Sequence, residues 1–129
     1  MATLSLLLVD DEKPLLALLR KYLERAGFQV DAAETAQDAL RKCRQQPCPF
    51  HLVVLDLRLP DMRGEELLPL LLDAAPGLRV LVSSGTPFSN QSVAPERRAR
   101  VGAILKPYMP AELLQVIHAL APAASAASV

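Results

Sequence analysis

Five residues of this chain would do chemistry together if they met in space: Asp10, Asp11, Asp56, Ser84 and Lys106. LLLV leads into Asp10 and Asp11, LVVL into Asp56, VLVS into Ser84, and GAIL into Lys106. Adjacent carboxylates leaving a hydrophobic segment repel each other and lose hydration, a cost that needs compensation. Taken singly, Asp10 and Asp11 read as a solvated strand end and Ser84 as a strand-end cap. Three acids gathered in a partly dry crevice would raise each other's pKa unless a cation intervenes. Hard oxygen ligands without imidazole or thiolate suit Mg²⁺, which keeps several waters and uses one or two carboxylates plus phosphate. Lys106 would then offer a positive charge to a phosphate oxygen, and Ser84 a hydrogen bond. Asp56 is the natural nucleophile of such a set, because a carboxylate can carry an aspartyl-phosphate. The combination is what phosphoryl transfer requires, positioning and charge neutralisation around an in-line displacement.

The elements must bring these residues to one place. LSLLLV (4–9), FQVDAA (28–33), HLVVLD (51–56), RVLVSS (79–84) and GAILKP (102–107) are short apolar runs that read as strands. Between the first two, Pro14 suits a first helical turn and Gly27 a helix stop. Leu15, Leu16, Leu18, Leu19, Tyr22 and Leu23 share one side of that helix, opposite Arg20, Lys21, Glu24 and Arg25. Thr35 reads as the N-cap of a second helix, with Asp38 three residues on and Ala36, Ala39, Leu40 and Cys43 as its apolar stripe. Residues 65–75 form a third helix, with Pro69 near its start, and Pro110 opens the last. The segment TPFSNQSVAPERRAR is polar with two prolines, so a fourth helix there should be short or frayed. Five strand–helix alternations predict a parallel sheet covered on both faces. All strand C-termini then share one edge, and Asp10, Asp11, Asp56, Ser84 and Lys106 arrive there together.

At 129 residues with just over half of them hydrophobic, the chain is expected to be one domain with an aliphatic core. Fourteen basic and fourteen acidic residues leave no global field to attract nucleic acid or anionic lipid. Cys43 and Cys48 are too few for a thiolate zinc site and read as free thiols. With no leader and no membrane-length apolar run, a soluble, cytoplasmic protein is expected. The domain is predicted over residues 1–121, and 122–129, rich in Ala and Ser, as a flexible tail or linker stump.

LLLVDDE, VVLDLRLPDMRG, VLVSSG and AILKPY resemble, in order and spacing, the signature segments of bacterial two-component response-regulator receiver domains, the CheY-like superfamily. The resemblance covers essentially the whole chain before the tail. It implies a doubly wound five-stranded parallel sheet of order 2-1-3-4-5, a flavodoxin-like (βα)5 sandwich. It also implies that Asp56 accepts a phosphoryl group from a histidine kinase or histidine phosphotransfer protein. Asp11, Asp56 and the Arg58 carbonyl would ligate Mg²⁺, with Asp10 assisting through water. Ser84 would be the switching hydroxyl, Lys106 would pair with the phosphoryl group, Lys106–Pro107 would be cis, and Gly64 would sit in the turn before the third helix.

Three positions depart from common family usage. Arg58 stands where a smaller polar residue is frequent, and Thr86 lies two past Ser84; in the family these places tune hydrolysis. Arg58 is expected to reach the phosphoryl oxygens or obstruct the attacking water. Ala103 stands where many receivers place Tyr or Phe, so the usual aromatic readout is not expected there. His51 reads as a half-exposed edge residue, and His118 as packing.

Leu67, Leu68, Leu70, Leu71 and Leu72 spread widely around the third helix, which is expected to be deeply covered. Leu15 and Leu18 fit the surface where the family receives its kinase. Arg97, Arg98 and Arg100 read as a solvated cluster, too short for direct DNA binding. An output domain or partner protein would take the signal. Two other classes compete: a phosphate-independent interaction module on the same scaffold, and a Mg²⁺-dependent aspartyl-phosphate phosphohydrolase. The hydrolases usually carry a second acid where this chain has Arg58.

Overall fold

The structure is a computed structural model and describes residues 3–120. The proposed tail lies outside the described residues. Five parallel strands, β1 (Ser5–Val9), β2 (Gln29–Ala33), β3 (Leu52–Asp56), β4 (Arg79–Ser84) and β5 (Val101–Leu105), form one sheet in the order β2-β1-β3-β4-β5. Four α-helices connect and cover it: α1 (Lys13–Arg25), α2 (Ala36–Cys43), α3 (Gly64–Ala74) and α4 (Pro110–Leu120). The doubly wound parallel sheet expected from the strand–helix alternation is the one found.

Side-chain alternation along the strands divides the interior into two halves. Leu6, Leu8, Leu52, Val54 and Leu81 pack under Leu16, Leu19 and Leu23 of α1 and Leu113 and Ile117 of α4. Leu7, Val9, Val53, Leu55, Val80 and Val82 face the opposite way, against α2 and α3. Strands covered on both sides carry apolar residues at every position, which is why β1 and β3 read as continuous runs. Leu67, Leu68, Leu71 and Leu72 are buried, so α3 is the covered helix its composition suggests. Cys43 is also buried, which pushes its thiol up to about 12, and it behaves as a small core residue.

Helix ends follow local chemistry. Pro14 occupies the first turn of α1, and Gly27, at φ +102°, takes the left-handed conformation just past its end. Thr35 Oγ1 accepts the Asp38 N–H at 3.1 Å, as an N-cap should. Pro69 lies inside α3 rather than near its start, so the Glu65 carbonyl has no amide four residues on.

The fourth crossover departs furthest from a helix. Residues 85–100 hold only two 3₁₀ segments, Asn90–Ser92 and Pro95–Arg100. Pro87 and Pro95 lack N–H groups, and short turns with i→i+3 bonds are what the intervening residues sustain. The three arginines there are not simply solvated, contrary to expectation. Arg98 donates to the carbonyls of Asn90 (3.1 Å), Val93 (3.0 Å) and Gln91 (3.2 Å). Arg100 donates to the carbonyls of Leu72 (3.0 Å) and Ala75 (2.5 Å) at the end of α3 and of Leu78 (2.9 Å) just before β4, and Arg97 pairs with Asp73. Carbonyls that a regular helix would satisfy internally are taken by guanidinium groups instead.

His51 is also more than an edge residue. It sits between β1 and β4, where its Nδ1 accepts the Ser5 N–H at 3.0 Å and its carbonyl accepts the Arg79 N–H at 3.1 Å. His118 is exposed, with its ring 5.6 Å from that of Phe28.

Candidate functional site

The C-terminal ends of β1, β3, β4 and β5 bring the five predicted residues to one rim. Asp10, just past β1, is held by its N–H on the Ala33 carbonyl at 3.1 Å, and its Oδ1 accepts the Glu12 N–H at 3.0 Å. That small turn projects Asp11 outward while Asp10 stays buried. Asp56 closes β3 and is buried, with its Oδ1 accepting the Arg58 N–H at 3.3 Å. Lys106 is fixed by its N–H on the Ser84 carbonyl at 2.7 Å, which places it beside β4.

Asp10, Asp11 and Asp56 each offer a carboxylate oxygen within 4.8 Å of the others. The Lys106 ammonium lies 3.4 Å from Asp10 Oδ2 and 3.5 Å from Asp56 Oδ1. Burial raises the Asp56 carboxyl above its ordinary value and Asp10 adds to this, together outweighing the Arg58 N–H and Lys106. Burial alone would lower the Lys106 ammonium, but Asp10 and Asp56 carry it above its ordinary value. Asp10 acts in both shifts, raising Asp56 by repulsion and Lys106 by attraction. A dication is the compensation this donor set fits, since every side-chain donor is a carboxylate oxygen and two are buried.

The cluster opens into a crevice of about 680 Å³ lined by Asp11, Asp56, Arg58, Arg63, Thr86 and Lys106 among others. Ser84 is buried at its wall, its Oγ accepting the Thr86 N–H at 3.2 Å and lying 3.5 Å from Thr86 Oγ1. Arg58 and Thr86 are exposed on either side. Ala103 stands apart, exposed on β5, where it and Phe88 line a separate cavity of about 340 Å³. The Lys106–Pro107 peptide is cis, as the resemblance implies; Gln46–Pro47 is cis as well, which was not expected.

Gly64 differs from its expected place. It is the first residue of α3 rather than part of the preceding turn, and its N–H donates to the Leu57 carbonyl at 2.9 Å. A Cβ there would lie 2.5 Å from Leu57 Cα, so glycine is required by close backbone approach next to the nucleophile candidate.

Asp61 was missed. It lies in the loop after β3, and its two carboxylate oxygens accept the N–H groups of Ala36 (2.8 Å) and Gln37 (3.0 Å). Those bonds hold its carboxyl below the ordinary value. No local spacing signals this cap, because helix and acid are 25 residues apart. Ser83 was missed too: its Oγ is buried without a hydrogen-bond partner, near Tyr108, whose phenol burial holds above its ordinary value.

Comparison with known proteins bears on the same arrangement. The family model described as response regulator receiver domain matches residues 6–118. The photosynthetic apparatus regulatory protein RegA of Cereibacter sphaeroides is 34% identical over 116 residues, covering 90% of this chain and 60% of that protein. The transcriptional regulatory protein CssR of Bacillus subtilis is 32% identical over 110 residues, covering 85% and 48% respectively. The chain thus spans about half to three-fifths of the length of these relatives. Among solved structures, a CheY-like receiver domain protein from Methanospirillum hungatei superposes with a TM-score of 0.79 at 31% identity, covering 92% of this chain and 93% of that one. The non-phosphorylated HemR receiver domain of Leptospira biflexa gives 0.78 at 28% identity, covering 92% and 94%. With the motif segments, the strand order and an acid cluster at the strand ends all in agreement, this chain belongs to the receiver-domain family of two-component response regulators.

Proposed function

We propose that the domain accepts a phosphoryl group on Asp56 from a phosphohistidine donor in a Mg²⁺-dependent reaction. The observation that carries this reading is the convergence of Asp10, Asp11 and Asp56 within 4.8 Å, with Lys106 reaching two of them. Asp11, Asp56 and the Arg58 carbonyl would hold the ion, and Asp10 would assist through water. When bound, Mg²⁺ neutralises the carboxylates and the oxygens of the incoming phosphoryl group.

An Asp56 carboxylate oxygen forms the new bond to phosphorus. The donor's phosphorus–nitrogen bond breaks, and its electron pair leaves with the histidine imidazole. Lys106 then turns from Asp10 and Asp56 toward a phosphoryl oxygen. Ser84, whose Oγ now accepts only from within its own turn, donates its hydroxyl proton to another. Such closure supplies the differential interaction that shifts the domain between two states. The domain acts on no substrate but its own phosphoryl group, which water removes.

The donor, a histidine kinase or histidine phosphotransfer protein, would dock on α1, where Leu18 is 57% exposed beside half-buried Leu15. The greater length of the relatives supports an output region or partner beyond this domain. Among the described residues no helix is long and apolar enough to cross a membrane, and the reading places the domain in the cytoplasm with its donor. The engagement of Arg97, Arg98 and Arg100 within the fold supports an absence of direct nucleic-acid contact there.

Incubation with Mg²⁺ and a small acyl phosphate, followed by mass spectrometry, tests the reading. One labile phosphoryl group is expected, lost in Asp56→Asn. Labelling that persists in Asp56→Asn, or none in the wild type, overturns it. Turnover of added phosphomonoesters would instead identify a hydrolase.

A further inference from the structure

The loop between β3 and α3, residues 57–63, carries the Arg58 carbonyl and supplies Leu57, Arg58, Leu59 and Arg63 to the crevice wall. Two of its ties are internal. Arg58 and Arg63 form an antiparallel bridge, and the Gly64 N–H closes onto the Leu57 carbonyl. The third tie runs outward, from Asp61 to the first two amides of α2 at 2.8 and 3.0 Å. Thr35 does not serve those amides, because its hydroxyl takes the third, that of Asp38. The first turn of α2 therefore shares its free N–H groups between a local cap and a carboxylate from another part of the chain. A negative charge at the positive end of the helix strengthens the link.

We propose that Asp61 is a positioning residue: it locks the loop against α2, holds the Arg58 carbonyl at the rim of the acid cluster, and couples ion binding to the N-terminus of α2. The proposal rests on reading Asp10, Asp11 and Asp56 as a Mg²⁺ site. An ion that uses a backbone carbonyl as ligand binds best when the loop bearing it is already ordered, and supporting groups outside the ligand set commonly govern affinity. Because coupling is reciprocal, bound Mg²⁺ also tightens the α2 end that Asp61 caps.

Isothermal titration with Mg²⁺ alone separates this role from plain helix stability. Asp61→Ala is expected to weaken Mg²⁺ binding about tenfold. Thr35→Ala, which uncaps the same helix end without touching the loop, is expected to leave it within about twofold. Asp61→Asn, which keeps one acceptor oxygen, should fall between and serves should Asp61→Ala not fold. In the wild type, Mg²⁺ should slow hydrogen exchange at the Ala36 and Gln37 amides, and in the Asp61 variants this protection should shrink. Equal losses in the Thr35 and Asp61 variants, or wild-type affinity in both Asp61 variants, overturn the coupling alone. A wild type that binds no Mg²⁺ overturns the reading of the acid cluster with it.

Discussion

The Lys106 ammonium reaches Asp10 at 3.4 Å across the ends of β3 and β4, touching Asp56 on the way at 3.5 Å. One lysine from the far side of β4 therefore meets two buried acids at the ends of the neighbouring strands β1 and β3, while Asp11 completes the cluster from the exposed side. A single positive charge leaves the group short of neutrality.

Asp56→Asn should stabilise the protein when divalent ions are absent. The raised Asp56 carboxyl means that the fold favours its neutral form, which asparagine approximates. Mg²⁺ should raise the melting temperature of the wild type and should do so much less in the variant. Calorimetric scans with EDTA and with excess Mg²⁺ check this. A lower melting point for Asp56→Asn in EDTA would show that the lost Lys106 contact outweighs the relieved repulsion.

Arg58→Asn should shorten the life of the phosphoryl group severalfold. Arg58 is exposed on the crevice wall next to Asp56, placed to shield the phosphorus or hold its oxygens. Loss of label after removal of the phosphodonor gives the rate directly, and indistinguishable rates would remove Arg58 from the account.

Arg100→Ala should cost about 2 kcal/mol, since a charged donor serving three carbonyls is withdrawn. Arg100→Lys should recover only part, because an ammonium cannot match the spread of the guanidinium fork. Urea unfolding midpoints measure both. An unchanged midpoint for the alanine variant would mean that water replaces the guanidinium without loss.

Acid titration should show two opposing slopes in the ion-free protein. Asp56 binds its proton more tightly when folded, so acidification from its raised value down to the ordinary 3.8 adds stability. Asp61 is held below 3.8 by the Ala36 and Gln37 N–H groups, so its contribution is present above 3.8 and is lost as pH falls through its folded value. Asp31, lowered by its bonds to the Ala32 N–H and Lys42 in spite of its burial, acts in the same direction as Asp61. Denaturant unfolding across this range should therefore pass through a maximum. Asp61→Ala should flatten the acid side, and Asp56→Asn the other. A monotonic profile unaffected by either variant would contradict these assignments.

What the sequence by itself determined is the part of the protein whose signal is local. Unbroken apolar runs specified β1 and β3 because both faces of a parallel sheet are covered, and the 3.6-residue stripe with Pro14 and Gly27 specified α1. The residues at the ends of β1, β3, β4 and β5, Asp10, Asp11, Asp56, Ser84 and Lys106, followed at once, since parallel strands place their C-terminal ends on one rim. Only the tertiary structure decided the remaining partners. Asp61 on the amides of α2, His51 under Ser5, Arg98 on the carbonyls of the fourth crossover, Arg100 on those at and after the end of α3, and the missing Cβ of Gly64 against Leu57 satisfy no periodicity. Each answers a backbone group or a tight approach created when distant segments pack, and such needs exist only once the chain has folded.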